Sequence, residues 1–244
     1  MRRSSHRYKS PIDFYYWPTP NGWKVAILLE ELAVPYRLIP VDISRGEQFA
    51  PDFLETSPNN RIPAIVDHDH PGAPLPVFES GAIMIHLARK HRRFLSRDAI
   101  GEKETLEWLF WQVGNQGPMA GQLSHFVNYA PDDQAYARER YAREYDRCLG
   151  VLERRLAGRT WLVGESYSIA DMICWPWVLI ARPLTASLDD VPNVRDWRQR
   201  IKERPAVQRA VDLGKEFRRS EPPSEEERDI LFNQTAATAR RWQA

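Results

Sequence analysis

The chain has 244 residues, 43% of them hydrophobic and 27% charged, with a formal net charge of +1. That length allows one large domain or two modest ones around a buried core, and the charge balance gives no footing for nucleic acid or an anionic membrane as partner. Two distant cysteines, Cys148 and Cys174, make no disulfide framework, so a reducing, cytoplasmic setting is expected.

No apolar run approaches the roughly 20 residues of a membrane span. The basic start Met1-Arg2-Arg3-Ser4-Ser5-His6-Arg7 precedes no apolar stretch and reads neither as a signal peptide nor as an export signal. Ile12-Asp13-Phe14-Tyr15-Tyr16-Trp17, rich in aromatic residues, predicts a strand. The breaker cluster Pro18-Thr19-Pro20-Asn21-Gly22 ends it. Val25, Leu28, Leu29 and Leu32 then fall at i, i+3, i+4 and i+7, an amphipathic helix. A strand over 36–41 completes a βαβ pattern, and 48–54 predicts a short irregular helix. Strands at 64–66 and 77–78 flank His70-Pro71-Gly72, with His68-Asp69-His70 read as an exposed turn. A helix over 81–90 closes a β-α-β-α-β-β-α series.

Beyond a linker at 92–96 the strand signals stop. A helix is predicted over 105–113, bent or broken at Gly117-Pro118. Tyr141, Tyr145, Cys148, Leu149, Leu152 and Leu156 repeat at helical spacing up to Gly158, a C-cap. Ser168-Ile169-Ala170-Asp171 is a capping box that opens the next helix, a folding role and not a site. Helical pattern returns over 194–204 and after Pro205, and from about Ser220 the chain reads as a charged tail carrying the apolar Ile230-Leu231-Phe232. The predicted division is a domain over 12–93, an all-helical domain over 101–219, and tails at 1–11 and 220–244. The histidines show no metal spacing; Cys148, on a helical stripe, and Cys174, between Ile173 and Trp175, read as small core residues. Trp108 with Trp111, and Trp175 with Trp177, also read as core.

The densest chemistry lies in Ser57-Pro58-Asn59-Asn60-Arg61-Ile62-Pro63-Ala64-Ile65-Val66-Asp67 and Phe78-Glu79-Ser80-Gly81. Ile62-Pro63 opens a β-branched strand, and Glu79-Ser80 stands where a strand gives way to a helix. Backbone hydrogen-bonding groups, an acidic side chain and a helix N-terminus suit a peptide that carries an amine and carboxylates. Taken singly, Ser80 is equally an N-cap, Glu79 a solvated charge and Pro63 a trans proline at a strand start. Thr19 and Asn21 equally suit a tight turn before Gly22.

Together with Pro18-Thr19-Pro20-Asn21-Gly22, Trp108-Leu109-Phe110-Trp111-Gln112 and Asn115-Gln116-Gly117-Pro118-Met119, these motifs resemble the glutathione transferases over nearly the whole chain, most strongly the nu-class members, which include glutathione-dependent disulfide-bond reductases. The resemblance implies an α/β thioredoxin-like domain followed by an all-α domain, a homodimer, and glutathione, reduced or oxidised, as cosubstrate beside a small-molecule substrate. It implies a cis Ile62-Pro63 bond that turns the Ile62 backbone toward the cysteinyl part of glutathione. It assigns Glu79 to the γ-glutamyl ammonium and Ser80 to its carboxylate, with Gln48, Asn60 and Arg61 as further partners. Arg140 is a candidate from the helical half, although Arg138, Arg143 and Arg147 around it fit a solvated basic face as well.

A free thiol has a pKa near 8.5, and lowering it by about 2 units takes roughly 2.7 kcal/mol. A helix N-terminus supplies about 0.3–1 kcal/mol, so hydrogen bonds from Thr19, Asn21 and the amides near Gly22 are assigned the rest. Thioredoxin carries two cysteines at the equivalent turn; Thr19-Pro20-Asn21-Gly22 carries none, so the reactive sulfur belongs to glutathione. Tyr16 or Tyr15 is a rival thiolate donor, with a packed aromatic as the plainer reading. Trp108 or Trp111 equally suits the lining of a second-substrate cleft. The expected activity is disulfide reduction; the alternatives are conjugation or peroxide reduction by the same thiolate, and a non-catalytic regulator like the fungal nitrogen regulators, which the lack of an Asn/Gln-rich extension disfavours.

Overall fold

Alternation decides the first strand. In the computed structural model Ile12, Phe14 and Tyr16 are all but fully buried in β1 (Ile12–Tyr16). The structure describes residues 11–131, 133–181, 184, 187–218 and 221–235; the predicted N-terminal tail but for Pro11, and 220 and 236–244 of the C-terminal one, lie outside the described residues. β1 pairs in parallel with β2 (Tyr36–Pro40) and antiparallel with β3 (Ala64–Asp67), which pairs antiparallel with β4 (Leu75–Phe78). The sheet order is β2-β1-β3-β4, and Pro76 is tolerated because β4 is an edge strand. Helix α1 (Pro20–Leu32) joins β1 to β2; a 3-10 turn (Glu47–Phe49) and α2 (Pro51–Thr56) precede β3; α3 (Ser80–His91) follows β4. This is the thioredoxin-like series read from the sequence.

On the other face of β1, Asp13 is also buried. Asp13 accepts two hydrogen bonds from Arg37, at 2.8 and 2.6 Å, and meets His68 Nε2 at 2.8 Å. Burial pushes the Asp13 carboxyl up, but the Arg37 and His68 bonds outweigh it and hold the group below the usual carboxylate range. His68 is therefore tied to the sheet rather than part of an exposed turn; only Asp69 and His70 stay in solvent.

The remaining helices are α4 (Ala99–Trp111), α5 (Gly117–Asn128), α6 (Ala135–Leu156), α7 (Ile169–Leu179), α8 (Pro192–Lys202), α9 (Pro205–Asp212) and α10 (Glu225–Phe232). α4 begins earlier than the pattern at 105–113 suggests, because the Asp98 carboxylate caps it by accepting from Gly101 N at 2.8 Å. Gly117-Pro118 does not end the helical run. Residues Gln112–Gln116 form a π-turn, and Pro118 falls in the first turn of α5, where a missing N–H loses no intrahelical bond. Gly158, at φ 69°, takes the left-handed conformation that closes α6.

Asp171 anchors the start of α7. Its Oδ1 accepts from Leu162 N and Trp197 Nε1, each at 2.9 Å, and its Oδ2 accepts from Ser168 N at 3.1 Å. Complete burial outweighs these bonds and pushes the carboxyl up to about 6. Trp175, Trp177 and Trp197 are buried. Trp108 and Trp111 are not core: they are half-buried and meet edge to face at 5.1 Å, with Arg155 over Trp108.

Packing groups the chain into two units that do not follow its linear order. Residues 11–22, 33–79 and 214–235 form one; 23–32 and 80–213 form the other. Within the second, Lys24 Nζ donates to Gln112 Oε1 at 2.7 Å, and Arg204 grips Glu31 through two bonds of 2.5 and 2.9 Å. Those buried and bidentate contacts are why the body of α1 groups with helices distant in sequence. The predicted C-terminal tail is in part folded: Ser224 and Glu227 form a reciprocal capping box at the start of α10, in the first unit. Among the described residues, no helix is long and apolar enough to cross a membrane, and no group of three or more His, Cys, Asp or Glu is placed to hold a metal ion.

Candidate active site

Strand register assembles the first unit's site. Tyr15 pairs with Ala64, and Ala64 pairs with Phe78. The segments just past these pairs, at Thr19, at Ile62-Pro63 and at Glu79, therefore leave the same end of the sheet. Tyr16 pairs with Pro40 there as well, which brings the loop leading to Gln48 to that end.

Thr19 caps α1: its Oγ1 accepts from Gly22 N at 3.2 Å, and its own N–H donates to Trp17 O at 2.8 Å. A hydroxyl that accepts through oxygen keeps its proton for a second partner, such as a sulfur anion. Asn21 is half-buried in the first turn. Gly22 is fixed by space: a Cβ there would stand 2.3 Å from Trp17 O, so only glycine lets the helix start this close to the strand end. Tyr16 is fully buried, its ring 5.2 Å from Phe14, and Tyr15 packs on Phe53; both are packed aromatics.

The loop before β3 is held by its own bonds, Ser57 Oγ donating to Arg61 O at 2.8 Å and Asn60 N to Ser57 O at 2.9 Å. The Ile62-Pro63 bond is cis, and the Ile62 side chain packs against Val41, Phe53 and Ala64. Arg61 is exposed. Glu79 is also exposed, at φ 66°, and Asn59 Nδ2 donates to its carboxylate at 3.2 Å. A left-handed glutamate costs on the order of 1–2 kcal/mol, strain of the kind that collects at functional sites. Asn60 is left-handed too, at φ 47°, and its Nδ2 donates to Gln234 Oε1 at 3.1 Å.

Two further expected residues make contacts of their own. Gln48 is buried, its Nε2 donates to Ile43 O at 3.0 Å, and its Oε1 has no hydrogen-bond partner in the protein. In the second unit Arg140 is exposed on α6 and pairs with Glu144 at 2.8 Å; that bond raises its pKa further. Glu144 also takes Arg147 at 3.0 Å, so this face is an ion-pair ladder. Ser80, next in the chain after Glu79, is the buried first residue of α3. A cavity of about 590 Å3 in the second unit, between 94–105 and 159–168, includes none of the expected residues.

Neither cysteine can serve as the reactive sulfur. Cys148 and Cys174 are fully buried, and desolvation pushes both thiols above their ordinary pKa, Cys174 far above. Sequence reading missed Trp17, Asn59 and Gln234 at this end of the sheet. Asn59 was within the motif; Gln234 is 174 residues from its partner, and the signal that could have led to it is the Ser224-to-Glu227 capping box of the helix that precedes it.

This end of the thioredoxin-like sheet thus carries a capped helix, a cis proline and a left-handed glutamate, while both cysteines of the chain are buried elsewhere. Residues 10–89 match the glutathione S-transferase N-terminal domain family and residues 119–205 the C-terminal domain family. The Escherichia coli disulfide-bond oxidoreductase YfcG is 51% identical over 202 residues, covering 82% of this chain and 94% of that one. A Burkholderia graminis glutathione transferase structure with two glutathione molecules per subunit is 43% identical, at TM-score 0.81 over 84% of this chain and 89% of that one. A Pseudomonas putida glutathione transferase structure with one glutathione disulfide per subunit is 41% identical, at TM-score 0.80 over 86% and 94%. The chain belongs to the glutathione S-transferase family.

Proposed function

We propose that this protein is an enzyme that reduces disulfides with glutathione, using the tripeptide's thiolate and no cysteine of its own. The observation that carries the reading is the Thr19 hydroxyl, which caps α1 at the sheet end shared with Ile62 and Glu79, while both cysteines are buried and protonated. The similarity to YfcG and the glutathione-bound relatives supports the same reading.

Thr19 and Asn21 donate to the glutathione sulfur and keep it ionised near neutral pH. The Ile62 backbone takes the cysteinyl unit as an added strand; Glu79 takes the ammonium and Ser80 the γ-glutamyl carboxylate, with Gln48, Asn60 and Arg61 as the further partners. The bound thiolate attacks one sulfur of the substrate disulfide, forming a glutathione–substrate bond and expelling a thiolate that takes a proton from water. A second glutathione thiolate attacks the glutathione sulfur of that mixed disulfide, releasing oxidised glutathione and the second substrate thiol. Two electrons pass from two glutathiones to one disulfide, and a nucleophile with pKa near ambient pH favours the exchange.

A homodimer in a reducing, cytoplasmic compartment is part of this reading, supported by the family and by the two free cysteines. The test is turnover of a model disulfide, bis(2-hydroxyethyl) disulfide, by the Cys148→Ala, Cys174→Ala protein, with calorimetric titration of reduced and oxidised glutathione. Retained turnover and binding are expected. Loss of turnover in a folded double variant, or no heat of binding, would overturn the assignment. Sedimentation at micromolar protein reads the dimer.

A further inference from the structure

The segment after Gly214 returns to the first unit and touches both loops of the candidate site, from opposite ends. At one end the Phe217 ring lies flat on Trp17, centroids 5.5 Å apart and planes within 6°. Gly214 brings it there: at φ 65°, it sits so close that a Cβ would stand 3.0 Å from the Tyr16 ring and 2.9 Å from the Phe217 ring. A 3-10 turn (Lys215–Phe217) then fixes the ring, with Phe217 N donating to Gly214 O at 2.9 Å.

Trp17 matters because its carbonyl is the point around which α1 starts. Trp17 O accepts from Thr19 N and is the atom that excludes a side chain at Gly22. A ring pinned by Phe217 thus fixes the carbonyl that sets the Thr19 hydroxyl.

At the other end, α10 delivers Gln234. The helix is locally specified, by the Ser224 and Glu227 box at its start and by Asn233, whose Nδ2 donates to Asp229 at 2.8 Å, at its close. Gln234 Nε2 donates back to Ile230 O at 3.0 Å, which aims its Oε1 outward as an acceptor, and Asn60 Nδ2 donates to it at 3.1 Å. Asn60 occupies a left-handed conformation immediately before Arg61 and Ile62.

We propose that Phe217 and Gln234 are positioning residues for the two halves of the glutathione site: Phe217 acts through Trp17 on the turn that ionises the thiol, and Gln234 acts through Asn60 on the loop that receives the tripeptide backbone. The inference rests on the glutathione reading above and adds a division of labour to it. Phe217 governs the thiolate and hence kcat. Gln234 governs capture of the peptide and hence KM.

The test measures kcat, KM for glutathione and the pH profile with bis(2-hydroxyethyl) disulfide in the full chain. Gln234→Ala is expected to raise KM about three- to tenfold, the worth of one neutral hydrogen bond, with kcat unmoved. Phe217→Ala is expected to lower kcat about three- to tenfold, the worth of an aromatic pair, and to shift the acidic limb of the profile upward with KM unmoved. Phe217→Tyr restores both readings. If Phe217→Ala does not fold, Phe217→Leu keeps the bulk without the stack and takes its place. Asn60→Ala combined with Gln234→Ala should match Asn60→Ala alone, since Gln234 acts only through Asn60. Active wild-type protein with variants that leave kcat and KM unchanged, or a Gln234→Ala effect that persists undiminished without the Asn60 amide, overturns the inference alone. An inert wild-type protein that binds no glutathione fails the underlying reading instead.

Discussion

Replacing Thr19 by Ala removes a hydroxyl with two partners, Gly22 N in the structure and the glutathione sulfur in the proposed complex. The first loss is a helix cap, about 0.5–2 kcal/mol of stability, which urea denaturation reads. The second is a hydrogen bond to an anion, about 1.5–3 kcal/mol, which raises the bound thiol's pKa by about 1–2 units. Below both pKa values the thiolate population falls about 10- to 100-fold. The remaining thiolate is more basic and more nucleophilic, with a Brønsted slope of about 0.4–0.5, so the net loss in rate is about four- to twelvefold. Above both pKa values the sign reverses, and the variant should exchange about three- to eightfold faster than wild type. The assay is steady-state reduction of bis(2-hydroxyethyl) disulfide at saturating glutathione from pH 5.5 to 10, with Thr19→Ser, which keeps cap and hydroxyl, following the wild-type curve. A Thr19→Ala curve that lies below wild type by the same factor at every pH would refute thiolate stabilisation and leave Thr19 a cap alone.

Glu79→Gln should raise KM for glutathione about tenfold or more, since a charge-assisted bond to the ammonium becomes a neutral one, while kcat changes little; steady-state kinetics reads the split. Tyr16→Phe should leave kcat and its pH profile close to wild type, because the ring is packed in the core. Asp171 gives a stability profile. Its carboxyl is pushed to about 6 in the fold against about 3.8 when unfolded, so the folded state binds more protons between those values. Its contribution of about 3 kcal/mol is therefore present below pH 4, declines as pH rises through 6 and is flat above it, and Asp171→Asn should flatten that window in urea titrations.

What the sequence made legible follows physical range. Aromatic alternation in Ile12 to Tyr16, the i, i+3, i+4 spacing of Val25 to Leu32 and the Ser168–Asp171 box are local patterns, and each became the element it specified. Ile62-Pro63 and Glu79 come to one end of the sheet because neighbouring strands build it. Non-local partners left no such trace. Asp13 and His68 are 55 residues apart, so nothing in His68-Asp69-His70 revealed that its first residue is tied to a buried carboxylate. The π-turn at Gln112–Gln116 has no composition of its own, and a proline two residues later read as a break. Gln48 and Arg140 came from a family pattern and not from a local signal; in the fold the Gln48 amide meets the Ile43 carbonyl and Arg140 meets Glu144.

The deep interment of Cys148 and Cys174 also bears on endurance. Peroxide attacks thiolates and spares thiols, and a sulfhydryl sealed in the helical interior with an elevated pKa offers it almost none. Burial and a raised pKa thus both disfavour conversion of the polypeptide's own cysteines to sulfenic acid. In the proposed cycle the exposed thiolate is the diffusible one, replaced at every turnover.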